Sequence, residues 1–271
     1  MTPANGMLSG KTAVVTGGYG VLGASISSGL AAAGARVAIL GRRQDAADAQ
    51  VAAIRAAGGE AMTLVADVLD ERALTKESDD LLRAWGRLDI LVNAAGGNVQ
   101  RARNDNSSIF DVPIDAFEEV LQLNLHGSVV PTMVFGKAMA ESRSGCVINI
   151  SSMASLRQLS GVLGYSVAKT GIDSFTRWMA VELARKFGDG MRVNAVAPGF
   201  FITAQNRKVM LEEDGSYTPR ARRVVDNTPM GRFGRPDELL GVVRWLCSDD
   251  ASFVTGAIIP VDGGFSVASG V

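Results

Sequence analysis

The chain has 271 residues, 47% of them hydrophobic and 20% charged. At this size roughly 11,000 Å² of about 41,000 Å² of unfolded surface stays exposed, so a large core forms without disulfides or metal. Twenty-seven basic and 28 acidic residues leave a net charge of −1, without the basic surplus that nucleic-acid binding uses. The 31 glycines follow no Gly-x-y period, which excludes collagen-like and low-complexity chains.

Cys146 and Cys247 sit in apolar strings and read as buried free thiols, with no metal spacing or disulfide framework. A single histidine, His126, disfavours zinc and Ser-His-Asp hydrolysis. It reads as a packing or capping residue. No apolar run reaches the ~18 residues of a membrane span, and Met1 to Gly10 lacks a signal-peptide core. The expectation is a cytoplasmic protein with neither membrane nor nucleic-acid partner.

The first strand is expected at Thr12–Val15. It runs into Gly17, Gly18, Tyr19, Gly20, Val21, Leu22 and Gly23, then into an Ala-rich helix over Leu22–Ala33. A strand, a glycine turn and a helix start make an anion site, because unpaired N–H groups and the positive helix end face one point. The second strand, Arg36–Leu40, ends in Gly41-Arg42-Arg43. An acidic side chain there would accept from a ribose 2′-OH. Two guanidiniums instead suit a 2′-phosphate, which favours NADP(H) and leaves NAD(H) possible. A helix over Ala46–Ala57 follows, then strands at Met62–Val65 and Leu88–Val92 and a helical pattern over Asp115–Met139.

The fifth strand, Val147–Ile150, leads into Ser151-Ser152, and Tyr165 and Lys169 follow four residues apart on one helix face. Carbonyl reduction needs a proton donor at the oxygen. Phenol titrates near 10 and needs a neighbouring ammonium to work at neutral pH. Strands at Arg192–Val196 and Ala257–Val261 complete seven. Several are continuous apolar runs, as strands buried on both faces require. Strand–helix alternation without a linker or repeat predicts one α/β domain with a parallel sheet. Thr203 to Thr228 breaks the alternation with charges, Gly215 and Pro219. A segment that long is expected to act as a lid.

These segments together resemble the short-chain dehydrogenase/reductase family from about Leu8 to Gly264. The glycine loop is similar to that family's Thr-Gly-x-x-x-Gly-x-Gly, with Val21 in place of its middle glycine. The resemblance implies a Rossmann-type doubly wound sheet with helices on both faces. It also implies a catalytic tetrad of Asn124, Ser152, Tyr165 and Lys169. Tyr165 would be the acid/base and Ser152 would hold the carbonyl oxygen. Lys169 would bind the nicotinamide ribose and tune Tyr165, and Asn124 would hold a relay water. Asp67 and Val68 would lie at adenine. Asn93, Ala94 and Gly96 would follow the family's Asn-Asn-Ala-Gly, and Pro198, Gly199 and Thr203 would meet the carboxamide. A homotetramer is implied, with the Tyr165 helix and the last strand in interfaces.

Substrate must be read from side chains. Asn98, Met153, Arg157, Gln158, Gln205, Asn206 and Arg207, with Ser152, suggest a polar, cationic pocket suited to a polyhydroxylated acid, with Arg207 or Arg157 taking the carboxylate. Several stretches resemble the D-mannonate oxidoreductase (fructuronate reductase) branch: Thr16 to Gly23, Asn93 to Asn98, Pro198 to Phe201 with Gln205 to Arg207, and the tail from Val261 to Val271. That branch implies D-fructuronate/D-mannonate interconversion. Gluconate 5-dehydrogenase-like and 3-oxoacyl-carrier-protein reductase-like activities share the same tetrad. A non-catalytic dinucleotide sensor would be expected to lack Tyr165 or Lys169.

Overall fold

The first strand, β1 (Thr12–Thr16), is buried along its whole length, which is what a β-branched, apolar run between two helical layers should do. The computed structural model describes residues 6–105, 107–203 and 206–269. In chain order β1 is followed by α1 (Val21–Ala32), β2 (Arg36–Gly41), α2 (Gln44–Ala56), β3 (Ala61–Val65), α3 (Glu71–Trp85) and β4 (Ile90–Asn93). Then come α4 (Ile114–Leu121), α5 (Gly127–Ser142), β5 (Gly145–Ile150), α6 (Leu163–Phe187) and β6 (Met191–Pro198). The described elements end with α7 (Arg207–Met210), α8 (Pro219–Asp226), α9 (Leu240–Cys247) and β7 (Ile258–Val261).

Among the described residues the seven strands form one sheet in the order β3-β2-β1-β4-β5-β6-β7. Every pairing is parallel. This is the single-domain, doubly wound Rossmann-type sheet expected from the sequence. Side chains alternate between its faces. Ala13, Val15, Ile39 and Val92 pack with Ile26 and Leu30 of α1, Val51 of α2 and Leu246 of α9. Val14, Leu40, Leu91 and Val147 pack on the other side with Leu81 of α3, Phe135 of α5 and Leu183 of α6. Thr16 stands opposite both Leu40 and Asn93. The chain leaves β1 in one direction along the sheet and returns to its other side at β4, which opens the crevice where such folds bind ligands.

One stretch departs from the expected elements. The helix expected over Asp115–Met139 is broken by a π-helical turn at Gln122–His126. One residue too many in the turn displaces the ladder and directs Asn124 inward, where it is fully buried. His126, expected to pack or cap, is exposed at the end of that turn and makes no cap hydrogen bond. Cys146 and Cys247 are buried free thiols, as read from the sequence.

The segment after β6 is a small folded unit. Met210, Ala221, Val224 and Phe233 form their own cluster, apart from the two sheet cores. Thr218 caps α8 by accepting from the Ala221 N–H at 3.1 Å, while its hydroxyl donates to the Val209 carbonyl at 2.8 Å. Among the described residues no helix is long and apolar enough to cross a membrane.

Candidate active site

The glycine turn is shaped for close approach. Gly17 has φ +61, and a Cβ there would lie 3.0 Å from the Ala95 Cα; a Cβ on Gly23 would lie 2.2 Å from the Gly17 carbonyl oxygen. The N-terminus of α1 has no side-chain cap and no acidic residue in its first turn, whereas α3 is capped by the Asp70 carboxylate. The first-turn N–H groups of α1 therefore have no partner from a side chain, as a pyrophosphate cradle needs. Gly18 lies close over the Val15 carbonyl and Ile39. Val21, half exposed, opens the helix that follows this turn. Thr16 braces the facing loop, its hydroxyl accepting from the N–H groups of Ala94 and Ala95 at 3.1 and 3.0 Å. The residues present fit a dinucleotide.

At the far end of the crevice, Tyr19 covers Gly41, where any side chain would strike the ring. The Arg43 guanidinium lies over the same ring at 5.1 Å, and the Arg43 N–H donates to the phenol oxygen at 3.3 Å. Arg42 stands 3.5 Å from the Asp67 carboxylate, which also accepts from the Leu69 N–H, and Val68 is buried behind it. The residues expected at adenine and at the 2′ position thus meet in one place.

Asn93 was expected at the cofactor, but its side chain points into the protein. Its amide donates to Thr132 and to Asn149, each at 2.8 Å. It fastens β4 to β5 and α5, so its effect on a ligand passes through the backbone that follows it. Asn124 is similarly committed. Its carbonyl oxygen accepts from the Gly97 N–H at 3.0 Å, and its amide donates to the Gly97 and Val120 carbonyls at 2.7 and 2.9 Å. A Cβ on Gly96 would lie 2.8 Å from that oxygen and 3.5 Å from the Lys169 ammonium. Asn124 therefore clamps the loop beside Lys169 with its side chain, which leaves that side chain little capacity to hold a water.

Ser152, Tyr165 and Lys169 come together as the spacing requires. Ser152 follows β5, and its hydroxyl accepts from the Ala154 N–H at 3.1 Å. Its hydroxyl stands close enough to the Tyr165 phenol to influence its titration. Lys169, 4% exposed, donates to the Ile150 carbonyl at 2.7 Å and lies 5.4 Å from the centre of the Tyr165 ring. Burial pushes the phenol above its ordinary value, and the neighbouring Ser152 hydroxyl draws it part of the way back. Burial pushes Lys169 down to about 8, opposed by the Asp173 carboxylate.

The sequence reading missed Asp173, which is buried one turn beyond Lys169 and accepts from the Ser151 hydroxyl at 2.5 Å. The i, i+4 spacing from Lys169 was the available signal. Ser151 faces α6 and Ser152 the pocket, as strand alternation predicts.

Pro198 ends β6, and Gly199 donates to the Val261 carbonyl at 3.0 Å. A Cβ on Gly199 would lie 2.6 Å from Asp262. Several of the substrate residues expected from the sequence are engaged elsewhere. Asn206 is a staple: its oxygen accepts from the Thr203 N–H and its amide donates to the Phe201 carbonyl, both at 2.8 Å. Arg157 turns to the tail and donates to the Ser266 and Ala268 carbonyls at 3.3 and 3.0 Å. Met153 is buried, whereas Gln158 and Arg207 are exposed. The Asn98 side chain accepts from the Val99 N–H at 3.0 Å. Gln205 and the last two residues, Gly270 and Val271, lie outside the described residues.

A parallel sheet with an uncapped glycine turn at its crevice, and a Ser-Tyr-Lys set beside it, defines a nicotinamide-dependent oxidoreductase. The pattern of the family described as Enoyl-(Acyl carrier protein) reductase matches residues 20–266, and the chain belongs to the short-chain dehydrogenase/reductase family. The uncharacterized oxidoreductase UxuB of Bacillus subtilis (strain 168) is 43% identical over 281 aligned positions, covering 100% of both chains. A crystal structure from Haemophilus influenza with bound NAD, provisionally named a D-mannonate oxidoreductase, superposes with a TM-score of 0.92 at 38% identity, over 97% of this chain and 98% of that one. Another from Beutenbergia cavernae, provisionally named an NAD(P)-dependent gluconate 5-dehydrogenase and holding NADP at low occupancy, gives 0.84 at 34% identity, over 95% and 97%.

Proposed function

We propose that the enzyme moves hydride between a nicotinamide cofactor and the secondary alcohol or ketone of a sugar acid, with D-fructuronate and D-mannonate as the pair. The observation that carries this reading is the likeness to the Haemophilus structure over 97% of the chain. When bound, the nicotinamide supplies or accepts the hydride. The chain's own residues handle the proton and the oxygen. Tyr165 gives its phenolic proton to the carbonyl oxygen in reduction and takes it back in oxidation. Ser152 holds that oxygen against Tyr165. Lys169 is placed to bind the nicotinamide ribose and to keep positive charge beside the phenol. Asn124 and Asn93 position the loop at Gly96 and Gly97.

NADP(H) is the cofactor we assign, on the strength of Arg42 and Arg43 and the lack of an acidic residue at the end of β2; NAD(H) is the alternative. Residues 203–228 are proposed as a cover over the substrate, with Arg207 at its first helix and Asn98 and Gln158 on the opposite rim. Cytoplasmic location and a homotetramer complete the reading. Trp178 and Val181 on α6 and Met133 on α5 are 60%, 52% and 58% exposed, which suits surfaces that meet other copies. A panel of ketohexuronates, aldonates and neutral ketoses, assayed with NADPH and NADH, tests the assignment. Best turnover of D-fructuronate is expected. Oxidation of gluconate in preference to mannonate would move the enzyme to the gluconate 5-dehydrogenase type.

A further inference from the structure

A ketohexuronate carries its carboxylate at the far end of the chain from its ketone. A group that reads this charge must therefore stand across the pocket from Tyr165. A cavity of about 370 Å³ lies among the connections that follow β4, β5 and β6, the same strand ends that carry Asn98, Ser152 and the Pro198-Gly199 turn. Its volume is at the lower end of the range for small-molecule sites. Phe200, directly after Gly199, and Phe265 of the tail form part of the wall, with their rings edge to face at 5.1 Å. Aromatic faces of this kind cover the C–H side of a sugar chain, and polar groups are then needed only for its oxygens.

The polar wall comes from α8. Arg220, Arg223 and Asn227 line the cavity at i, i+3 and i+7, one stripe of the helix. Ser160 faces them from the connection that leads to Tyr165. The two arginines differ in availability. Arg220 is paired with the Asp105 carboxylate, which also takes Arg103. Arg223 is exposed, and its guanidinium makes no hydrogen bond or ion pair among the described residues. Asn227 donates to the Arg223 carbonyl at 2.8 Å, which leaves its own carbonyl oxygen for a hydroxyl donor. The lining sets two guanidiniums against one carboxylate, which Arg220 and Arg103 already pair, so the cavity is cationic. Arg157 is held by tail carbonyls, and neither it nor Arg207 lines this cavity.

We infer that Arg223 is the specificity-determining residue that pairs with the carboxylate of a sugar-acid substrate, with Asn227 and Ser160 taking hydroxyl groups beside it. This rests on the sugar-acid reading of the site. Guanidinium and carboxylate match as a two-pronged hydrogen-bonded pair, which a lysine or a lone hydroxyl does not reproduce. An anchor remote from the reacting carbon holds ground state and transition state alike, so its loss appears in KM and leaves kcat in place.

The test compares D-fructuronate with D-fructose, which has the same carbon chain and ketone but a primary alcohol at the far end. Arg223→Ala is expected to raise KM for D-fructuronate by about tenfold or more with kcat within about twofold, and to leave D-fructose kinetics and the NADPH Kd unchanged. Arg223→Lys should recover only part of the loss. Arg222→Ala, whose guanidinium instead donates to the Tyr217 carbonyl, should behave as wild type. Thermal melting checks the fold of each variant, and Arg223→Gln, which keeps the stem, replaces Arg223→Ala if the latter melts early. If the wild type prefers D-fructuronate and the Arg223 variants keep that preference, Arg223 is not the reader although the sugar-acid reading stands. If the wild type shows no preference for the acid, the reading itself fails and the inference falls with it.

Discussion

The floor of the site and the segment we propose as its cover are built by different rules. The floor is fastened by buried polar bonds across elements far apart in sequence: Thr16 to the loop after β4, Asn93 to Asn149 and Thr132, Asn124 to Gly97, Ser151 to Asp173. Each joins strand ends or helices that are already packed into the sheet cores, so the reacting groups cannot shift without breaking several buried bonds at once. The proposed cover, from the end of β6 to α8, packs with Phe233 just beyond it into a cluster of four buried side chains and is held by local bonds such as those of Asn206 and Thr218. Proton transfer needs sub-ångström placement and gets the rigid floor. Substrate entry and selection need an element able to open at a cost below global unfolding, the role we propose for the segment on the small separate core.

The sharpest way to break this division is at Tyr165. Tyr165→Phe keeps the ring over Lys169 and removes only the hydroxyl, so kcat should fall about a hundredfold or more while the dinucleotide Kd stays near wild type. Single-turnover kinetics and a binding titration check both halves. Near-full activity would remove Tyr165 from proton transfer. A lost cofactor would show that the phenol supports the floor instead.

The next test lies at the other end of the crevice. Replacing both Arg42 and Arg43 with alanine should weaken NADPH by more than tenfold and NADH much less, since each charge-assisted bond is worth about 1.5–3 kcal/mol. Arg43 also lies over Tyr19, so the single variants should differ. Arg43→Ala frees the ring and is expected to affect both cofactors somewhat, whereas Arg42→Ala should affect NADPH alone. Equal losses for both cofactors would overturn the assignment of NADP(H).

The floor was largely legible in the sequence and the cover was not, for a physical reason. Strands such as Val14-Val15 and Leu91-Val92 announce themselves because burial on both faces demands unbroken apolar runs. Tyr165, Lys169 and Ser152 follow from short spacings on regular elements. The π turn at Asn124 escapes a 3.6-residue period because it departs from that period by one residue. The partners of Arg157, at Ser266 and Ala268, lie more than 100 residues away, and those of Asn206 are backbone groups that any sequence supplies. Polar composition near a strand end pointed to Arg157 and Arg207, neither of which lines the cavity beside α8, and it could not say that Arg220 there is paired. That depends on Asp105 reaching Arg220.

A pH experiment probes the floor with a smaller signal. Lys169 titrates at about 8 in the fold against its ordinary 10.5. Between those values the unfolded chain binds more protons, so this residue makes stability rise with pH across that window. Wild-type enzyme should therefore gain melting temperature relative to Lys169→Met as pH is raised from about 8 to about 10, by on the order of a few degrees. A difference that stays flat across the window would mean that Lys169 is not held down by burial.

The smallest effect is expected in the cover. Met210 is 4% exposed within the minor cluster, and a Met→Ala change in a packed core commonly costs about 2–5 kcal/mol. That cost should fall on the cover alone, because its cluster is separate from the two that hold the sheet. Met210→Ala is then expected to raise substrate KM severalfold and to speed hydrogen exchange across residues 206–228. Amides of β1, β4 and β5 should exchange as in wild type, and the global melting temperature should move little, since a local opening already cheaper than unfolding sets exchange there. The same variant should leave the NADPH Kd unchanged, as the adenosine end is remote from the cluster. Should the sheet amides and the melting temperature fall together with the cover, the two regions are one cooperative unit. Substrate selection would then have to be explained without independent opening.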